Sequence, residues 1–218
     1  MEELELENSV YIFDLDGTLV DSLPQIMEAA NLAREEFCSP SIDESFYKAR
    51  IGLPAEVLFE DLNLSDSTLF SIVNAFRAHL KSIKLSPQNL ILDVSLLLSL
   101  LSNGGSPLAI ATNKPTKLAE KALNETGVRK YFDCIVGIDG LVAKPDPSIL
   151  FECLRLLAAE PASAVMVGDR TEDMIAADRA GIFGIGIAQG FHSESELVAA
   201  GARITFPDIR SFRKSIGA

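Results

Sequence analysis

Val10-Tyr11-Ile12-Phe13-Asp14-Leu15-Asp16-Gly17-Thr18-Leu19-Val20-Asp21 decides how the rest of this chain is read. The apolar run Val10 to Phe13 predicts a short buried strand. Asp14 and Asp16 stand where that strand runs out. Side chains alternate along a strand with period two, so the two carboxylates start on one face. Gly17 then lets the backbone turn sharply. Carboxylates held this close repel each other unless a cation or a shared proton relieves them. The placement suits a metal, an acid/base pair, or a carboxylate nucleophile beside an acid. A calcium hand fits poorly: position 25 is Gln25 where that loop would place Glu, and the upstream run is strand-like rather than helical.

Outward from this stretch, the texture turns helical. Ser22 to Glu36 carries Leu23, Ile26, Ala30 and Ala33 at helical spacing, and further helices are predicted near Ile42 to Arg50, Ala55 to Asp61 and Asp66 to Ile83. Pro40, Gly52-Leu53-Pro54 and Ser86-Pro87 punctuate them. The apolar stretch Leu90 to Leu101 predicts a buried helix ending at Asn103-Gly104-Gly105. Strands and helices then alternate. Strands are predicted at Pro107 to Thr112, Cys134 to Ile138, Ala164 to Gly168, Gly184 to Ala188 and Ile204 to Phe206. The helices between them are Lys117 to Thr126, Ser148 to Ala159, Thr171 to Ala180 and Glu194 to Ala200. This alternation predicts an α/β fold with a parallel sheet covered on both faces. The helical stretch interrupting it reads as a second small domain, giving a core of 1–20 and 87–218 and an insert of 21–86.

With 218 residues the chain can bury a substantial core, and 48% hydrophobic with 23% charged residues is an ordinary globular balance. A net charge of -12 argues against nucleic acid or an anionic membrane as partner. An anionic small-molecule substrate stays compatible, since lysines and a divalent cation can reverse the field inside a cleft. Leu90 to Leu101 is too short, and too interrupted by Asp93, Ser95 and Ser99, to span a bilayer. Met1 to Glu7 is acidic and does not resemble a signal peptide. Cys38, Cys134 and Cys153 lack metal-like spacing and read as buried, reduced thiols, so a cytoplasmic location is expected.

In open parallel sheets ligands bind at the carboxyl ends of strands. Asp14, Thr112 and Asp169 each follow a predicted strand, and Lys144 lies a few residues beyond another, so four segments can converge on one crevice.

Four strings carry a resemblance. Asp14-Leu15-Asp16-Gly17-Thr18, Ile110-Ala111-Thr112-Asn113-Lys114, Lys144-Pro145-Asp146-Pro147 and Val167-Gly168-Asp169-Arg170-Thr171-Glu172-Asp173 resemble, in order, the four motifs of the haloacid dehalogenase-like hydrolase superfamily. That resemblance implies a Rossmann-like doubly wound core under a helical cap. It also implies a Mg²⁺-dependent phosphatase working through an aspartyl-phosphate. Asp14 would be the nucleophile, and Asp16 general acid and then base. Mg²⁺ would be held by Asp14, the Asp16 backbone carbonyl and Asp169. Thr112 and the Asn113 backbone N–H would bind phosphoryl oxygens. Lys144 would pair with both phosphate and Asp14, and Asp173, one helical turn after Asp169 on a shared face, would orient metal waters or Lys144.

Within the superfamily, Phe13 to Ser22, Ala111 to Pro115, and Gly190-Phe191-His192-Ser193-Glu194 with Ala200-Gly201-Ala202 resemble the phosphoglycolate phosphatase group. Ile51-Gly52-Leu53-Pro54 falls where that group's cap sends a loop to the site, and Arg50 beside it is a candidate for meeting an anionic group on the substrate. Two departures stand out. Leu92-Asp93-Val94 replaces a common Pro-Gly, which should affect only a helix start. Arg170 stands where many phosphoglycolate phosphatases have Ser, and either contacts the metal region or points outward. The expected substrate is a small phosphomonoester (phosphoglycolate-like, a nucleotide or a sugar phosphate). The resemblance leaves a phosphomutase similar to beta-phosphoglucomutase, and a non-catalytic protein on the same scaffold, as alternatives. His79 and His192 read as structural or surface residues, and a monomer or homodimer is expected.

Overall fold

The computed structural model describes residues 9–189 and 191–217. Met1 to Glu7 and Gly190, which entered the sequence reading, lie outside them.

The core is one six-stranded parallel sheet in the order β3-β2-β1-β4-β5-β6. Its strands are β1 (Val10–Phe13), β2 (Leu108–Ala111), β3 (Cys134–Val136), β4 (Ala164–Gly168), β5 (Phe183–Ile187) and β6 (Ile204–Phe206). β1 is central, pairing Phe13 with Ile110 of β2 on one side and with Val167 of β4 on the other. The period-two alternation splits each inner strand between two apolar layers. Tyr11, Phe13, Leu108, Ile110, Val165 and Val167 face one cluster, and Val10, Ile12, Ala109, Ala111 and Met166 face the other. Three helices cover the first layer: α4 (Val94–Asn103), α5 (Thr116–Glu125) and α9 (Ile209–Ile216). The second is covered by α6 (Ser148–Leu157) and α7 (Thr171–Ala180), while α8 (Glu194–Ala199) closes the far edge against β5 and β6.

From β1 the chain builds outward through β2 and β3, then returns to lay β4 against β1. The order of strands reverses there, and a crevice opens at the strands' carboxyl ends. Asp14 and Asp169 follow β1 and β4 directly.

Between β1 and β2 lie α1 (Leu23–Glu36), α2 (Glu44–Lys48) and α3 (Asp66–Ser82), with a 3₁₀ segment at Ala55–Leu62. They enclose their own apolar cluster, centred on Ile26, Ala30, Tyr47, Phe59, Ile72 and Phe76, which Phe191 joins from the core. Buried Arg34 ties it together by donating to Asp61 Oδ2 at 3.0 Å and to the Leu58 carbonyl at 2.9 Å. The two chain crossings run side by side: Asp21 N donates to Asn89 O at 2.8 Å, and Val20 bridges Leu90 in antiparallel fashion.

The stretch expected to be helical near Ala55 to Asp61 is helical, as a 3₁₀ segment over Ala55–Leu62. Several expectations need correction. The Leu90–Leu101 stretch is helical only from Val94, because Leu90 bridges back to Val20. That helix is half-buried rather than buried, with Leu96 58% and Leu100 37% exposed. Asp93 precedes it with φ +70°, a left-handed conformation that glycine adopts most easily, and its carboxylate accepts from Arg210 and Arg213 of α9. All three cysteines are free, but Cys38 is exposed and Cys134 half-buried; only Cys153 is buried. No helix among the described residues is long and apolar enough to cross a membrane.

Candidate active site

The turn after β1 is held by local geometry. Leu19 N and Val20 N both donate to Leu15 O, closing a tight loop around Gly17 at φ +91°. A Cβ at Gly17 would lie 2.6 Å from Asp169 Oδ2, so glycine is required by backbone and by space alike. Asp14 N donates to Val167 O at 2.9 Å, which fixes Asp14 beside the end of β4.

Lys144, arriving from the loop after β3, points its ammonium into this corner. Nζ donates to Asp14 Oδ1 at 2.7 Å, Asp173 Oδ1 at 2.6 Å and the Ala111 carbonyl at 2.8 Å. All three donors are used and the side chain is only 2% exposed. Burial disfavours its charge, but Asp14 and Asp173 outweigh that and hold the ammonium above its ordinary range. Asp14 is pushed up to about 7, first by burial and then by Asp173, with Lys144 pulling the other way. Asp169 also lies well above its ordinary range through burial, Asp14 and Asp173.

Oxygens of Asp14, Asp169 and Asp173 lie within 4.8 Å of one another. Their lone pairs are not equally engaged. Asp173 accepts from Lys144 through Oδ1 and from Arg170 N through Oδ2 at 3.2 Å. Asp14 spends Oδ1 on Lys144, and Asp169 accepts from Thr18 Oγ1 through Oδ1 at 2.6 Å. Asp14 Oδ2 and Asp169 Oδ2 are buried without a partner. Two orphaned carboxylate oxygens, on groups whose ionisation burial disfavours, form a hard-oxygen site that a divalent cation such as Mg²⁺ fits.

Thr112, buried at the end of β2, donates its backbone N–H to Val136 O at 3.0 Å, and its hydroxyl accepts from Lys114 N at 3.2 Å. Asn113 bonds through its amide to Gly52 O and Lys144 O, and accepts from Lys144 N at 2.8 Å. Asp16 accepts from Lys114 Nζ at 2.5 Å in a pair almost closed to solvent. Arg50 is held by Glu60, at 3.0 and 2.6 Å, and lies 3.8 Å over the Phe46 ring. It nonetheless borders, with Asp16, Gly52, Phe76, Asn113 and Lys114, a cleft between the sheet and the inserted helices.

The structure thus brings Asp14, Lys144, Asp169 and Asp173 into contact distance, with Thr112 and Asn113 alongside and Asp16 and Arg50 on the adjoining cleft. Asp169 and Asp173 do not meet on one helical face as expected. Asp169 precedes α7, and Asp173 bends back to accept from Arg170 N at the helix start. Arg170 points inward to residues 49–51 instead of outward. Sequence reasoning gave no role to Lys114 or Thr18, although both lie inside the quoted strings. Gln189, which donates to the Gly17 and Thr18 carbonyls at 3.1 Å, carried no signal at all. His79 pairs with Glu36 near the surface of the inserted helices.

Comparison with known proteins places this arrangement in context. Residues 11–187 match the family model described as haloacid dehalogenase-like hydrolase. The chain is 34% identical over 214 residues to "Probable phosphatase IndB" of Dickeya dadantii (strain 3937), covering 95% of this chain and 91% of that protein. It is 36% identical over 191 residues to a phosphoglycolate phosphatase of Neisseria meningitidis serogroup A / serotype 4A, covering 82% and 80% respectively. The crystal structure of a predicted phosphatase from Clostridium acetobutylicum superposes with a TM-score of 0.84 at 29% identity, covering 95% of this chain and 98% of that one. With its sheet order, its four converging segments and a family match spanning most of its length, the chain belongs to the haloacid dehalogenase-like hydrolases.

Proposed function

We propose that this enzyme is a Mg²⁺-dependent phosphatase that hydrolyses a small phosphomonoester through a phosphoryl group carried on Asp14. One observation carries the reading. A buried lysine grips one oxygen of Asp14, while the other oxygen and that of Asp169 are left for a cation. The names of the relatives from Dickeya and Neisseria support the phosphoester as substrate.

The residues then divide the work. Asp14 attacks phosphorus with a carboxylate oxygen while the bond from phosphorus to the alcohol oxygen breaks. Protonated Asp16, released from its pair with Lys114, gives its proton to that departing oxygen, then takes one from the water that attacks the phosphoryl-enzyme, releasing inorganic phosphate and restoring Asp14. Lys144 stabilises negative charge on Asp14 and on the transferring oxygens, and Asp173 holds Lys144 in place. The Thr112 hydroxyl and the Asn113 backbone N–H bind phosphoryl oxygens. Asp14, the Asp16 carbonyl and Asp169 would hold Mg²⁺, which supplies charge neutralisation between carboxylate and phosphate. Residues 21–86 act as a cap on a core of 1–20 and 87–218, with the paired crossings near 20–22 and 85–89 as hinges. Closure excludes water while the covalent intermediate forms.

The test is phosphate release from phosphoglycolate, nucleoside monophosphates, sugar phosphates and pyrophosphate, with and without Mg²⁺. Release that requires Mg²⁺ and needs no sugar bisphosphate supports a phosphatase. Turnover seen only as isomerisation of a sugar phosphate primed by a bisphosphate would replace it with a mutase.

A further inference from the structure

The residues that follow Thr112 and Asp169 both reach out of the crevice into the same loop of the inserted helices. Asn113 Nδ2 donates to Gly52 O at 2.9 Å. Arg170 Nη1 donates to Ile51 O at 2.5 Å and Nη2 to Ala49 O at 3.4 Å. Arg170 Nε is held by Glu172 at 3.1 Å, and the guanidinium lies 5.5 Å over the Phe191 ring. Gly52, at φ +83°, makes room for this: a Cβ there would lie 2.6 Å from Arg170 Cδ. The Arg170 side chain is only 5% exposed. A buried guanidinium demands acceptors for its donors, and here two of them are main-chain carbonyls. They fix the course of the loop whatever its side chains are.

We infer that Arg170 is a positioning residue that latches loop 49–53 of the inserted helices onto the core beside Asp169, setting where Arg50 and Gly52 border the cleft next to Asp16. The fork geometry matters as well as the charge. A lysine carries the same charge, but its single nitrogen lacks the planar fork by which Nη1, Nη2 and Nε reach Ile51 O, Ala49 O and Glu172 from separate atoms. The latch touches neither Asp14 nor the phosphoryl-binding Thr112, so it governs how the alcohol part of the substrate is held rather than the transfer itself. That kinetic consequence rests on the phosphatase reading above; the latch itself does not.

The experiment compares full-length wild type, Arg170→Ala and Arg170→Lys by hydrogen–deuterium exchange and by steady-state kinetics. In Arg170→Ala, amide exchange rises in peptides covering 47–54 and is unchanged in those covering 66–82. For the best phosphomonoester, kcat/KM falls on the order of tenfold, the scale of a lost charge-assisted hydrogen bond. The loss sits mainly in KM, and inhibition by inorganic phosphate is unchanged. Arg170→Lys recovers only part of the loss. Unchanged exchange in 47–54 overturns the latch. Full recovery by Arg170→Lys overturns it in favour of a charge effect on Asp169, as does a parallel weakening of phosphate inhibition. If wild type turns over no ester at all, the phosphatase reading fails while the exchange arm still decides the latch.

Discussion

Replacing Lys144 with Met should expose how strained this cluster is. The ammonium is the only cation that the described residues place against both Asp14 and Asp173, and it is buried with all three donors used. Removing one partner of a buried charged network costs about 3–5 kcal/mol. Proton linkage gives an independent bound. Without Lys144 one more carboxyl of the cluster must take up a proton to stay buried, at about 1.4 kcal/mol per pH unit above its ordinary value. From a carboxylate value near 3.9 that is roughly 5–6 kcal/mol at pH 8 but only about 1–2 at pH 5. The sign follows from the wild type. Lys144 has a raised value, so its contribution is full below its unfolded value near 10.5 and is present at both pH 5 and pH 8. The loss on mutation therefore tracks the carboxyls and shrinks as pH falls. Urea unfolding of metal-free wild type and Lys144→Met should give a difference of about 3–5 kcal/mol at pH 8 and about 1–2 at pH 5. A difference below about 1 kcal/mol at pH 8, or equal losses at both pH values, would refute the reasoning.

Three further outcomes are expected. Asp14 in the metal-free protein is raised from 3.8 to about 7, so native protein keeps a proton that unfolded chain loses between those values, and the stability this gives is lost as pH rises toward 7. Asp14→Asn should therefore stabilise metal-free protein by about 3–4 kcal/mol at pH 8 and by only about 1–2 kcal/mol at pH 5, read by urea unfolding; the reverse ordering contradicts the burial argument. Gly17→Ala forces a Cβ to within 2.6 Å of Asp169 Oδ2 at a backbone φ of +91°. Isothermal titration should show Mg²⁺ affinity falling on the order of tenfold or more, and unchanged affinity would dissociate Asp169 from the metal. Asp93→Ala removes an acceptor for Arg210 and Arg213 while keeping the left-handed backbone, so urea unfolding should show a loss of about 1 kcal/mol with kcat unchanged.

The parts of the fold that were legible in the sequence are those with a clean period. β1 and β4 stand where their apolar runs place them, because strands buried on both faces read as uninterrupted hydrophobic stretches. α7 spans Thr171–Ala180 as expected, and left-handed Gly181 caps its end. α9 was missed because eight residues give barely two turns, and only Ile209 and Phe212 of its apolar residues are buried. The start of α4 was misplaced because Leu90 and Ile91 are apolar for a different reason: they pack beside the chain crossing at Val20.

For the site, Asp14, Lys144 and Asp169 were legible through short ordered strings, and strand-end topology brings those strings together. Lys114, Thr18 and Gln189 were not, because each acts by bonding across the fold (Lys114 to Asp16, Thr18 to Asp169, Gln189 to the turn at Gly17) and such pairings leave no spacing in the sequence. Arg170 was visible as a departure, but its direction depends on the room that Gly52 leaves.

The central claim is that Asp14 carries the phosphoryl group. Wild type turning over its best phosphomonoester with Mg²⁺ should be quenched in acid during the steady state, digested and weighed by mass spectrometry. The account predicts a mass gain of one phosphoryl group on the peptide containing Asp14, absent in Asp14→Asn, which also releases no phosphate. Sustained phosphate release by Asp14→Asn, or a phosphoryl group found on another residue, would contradict it.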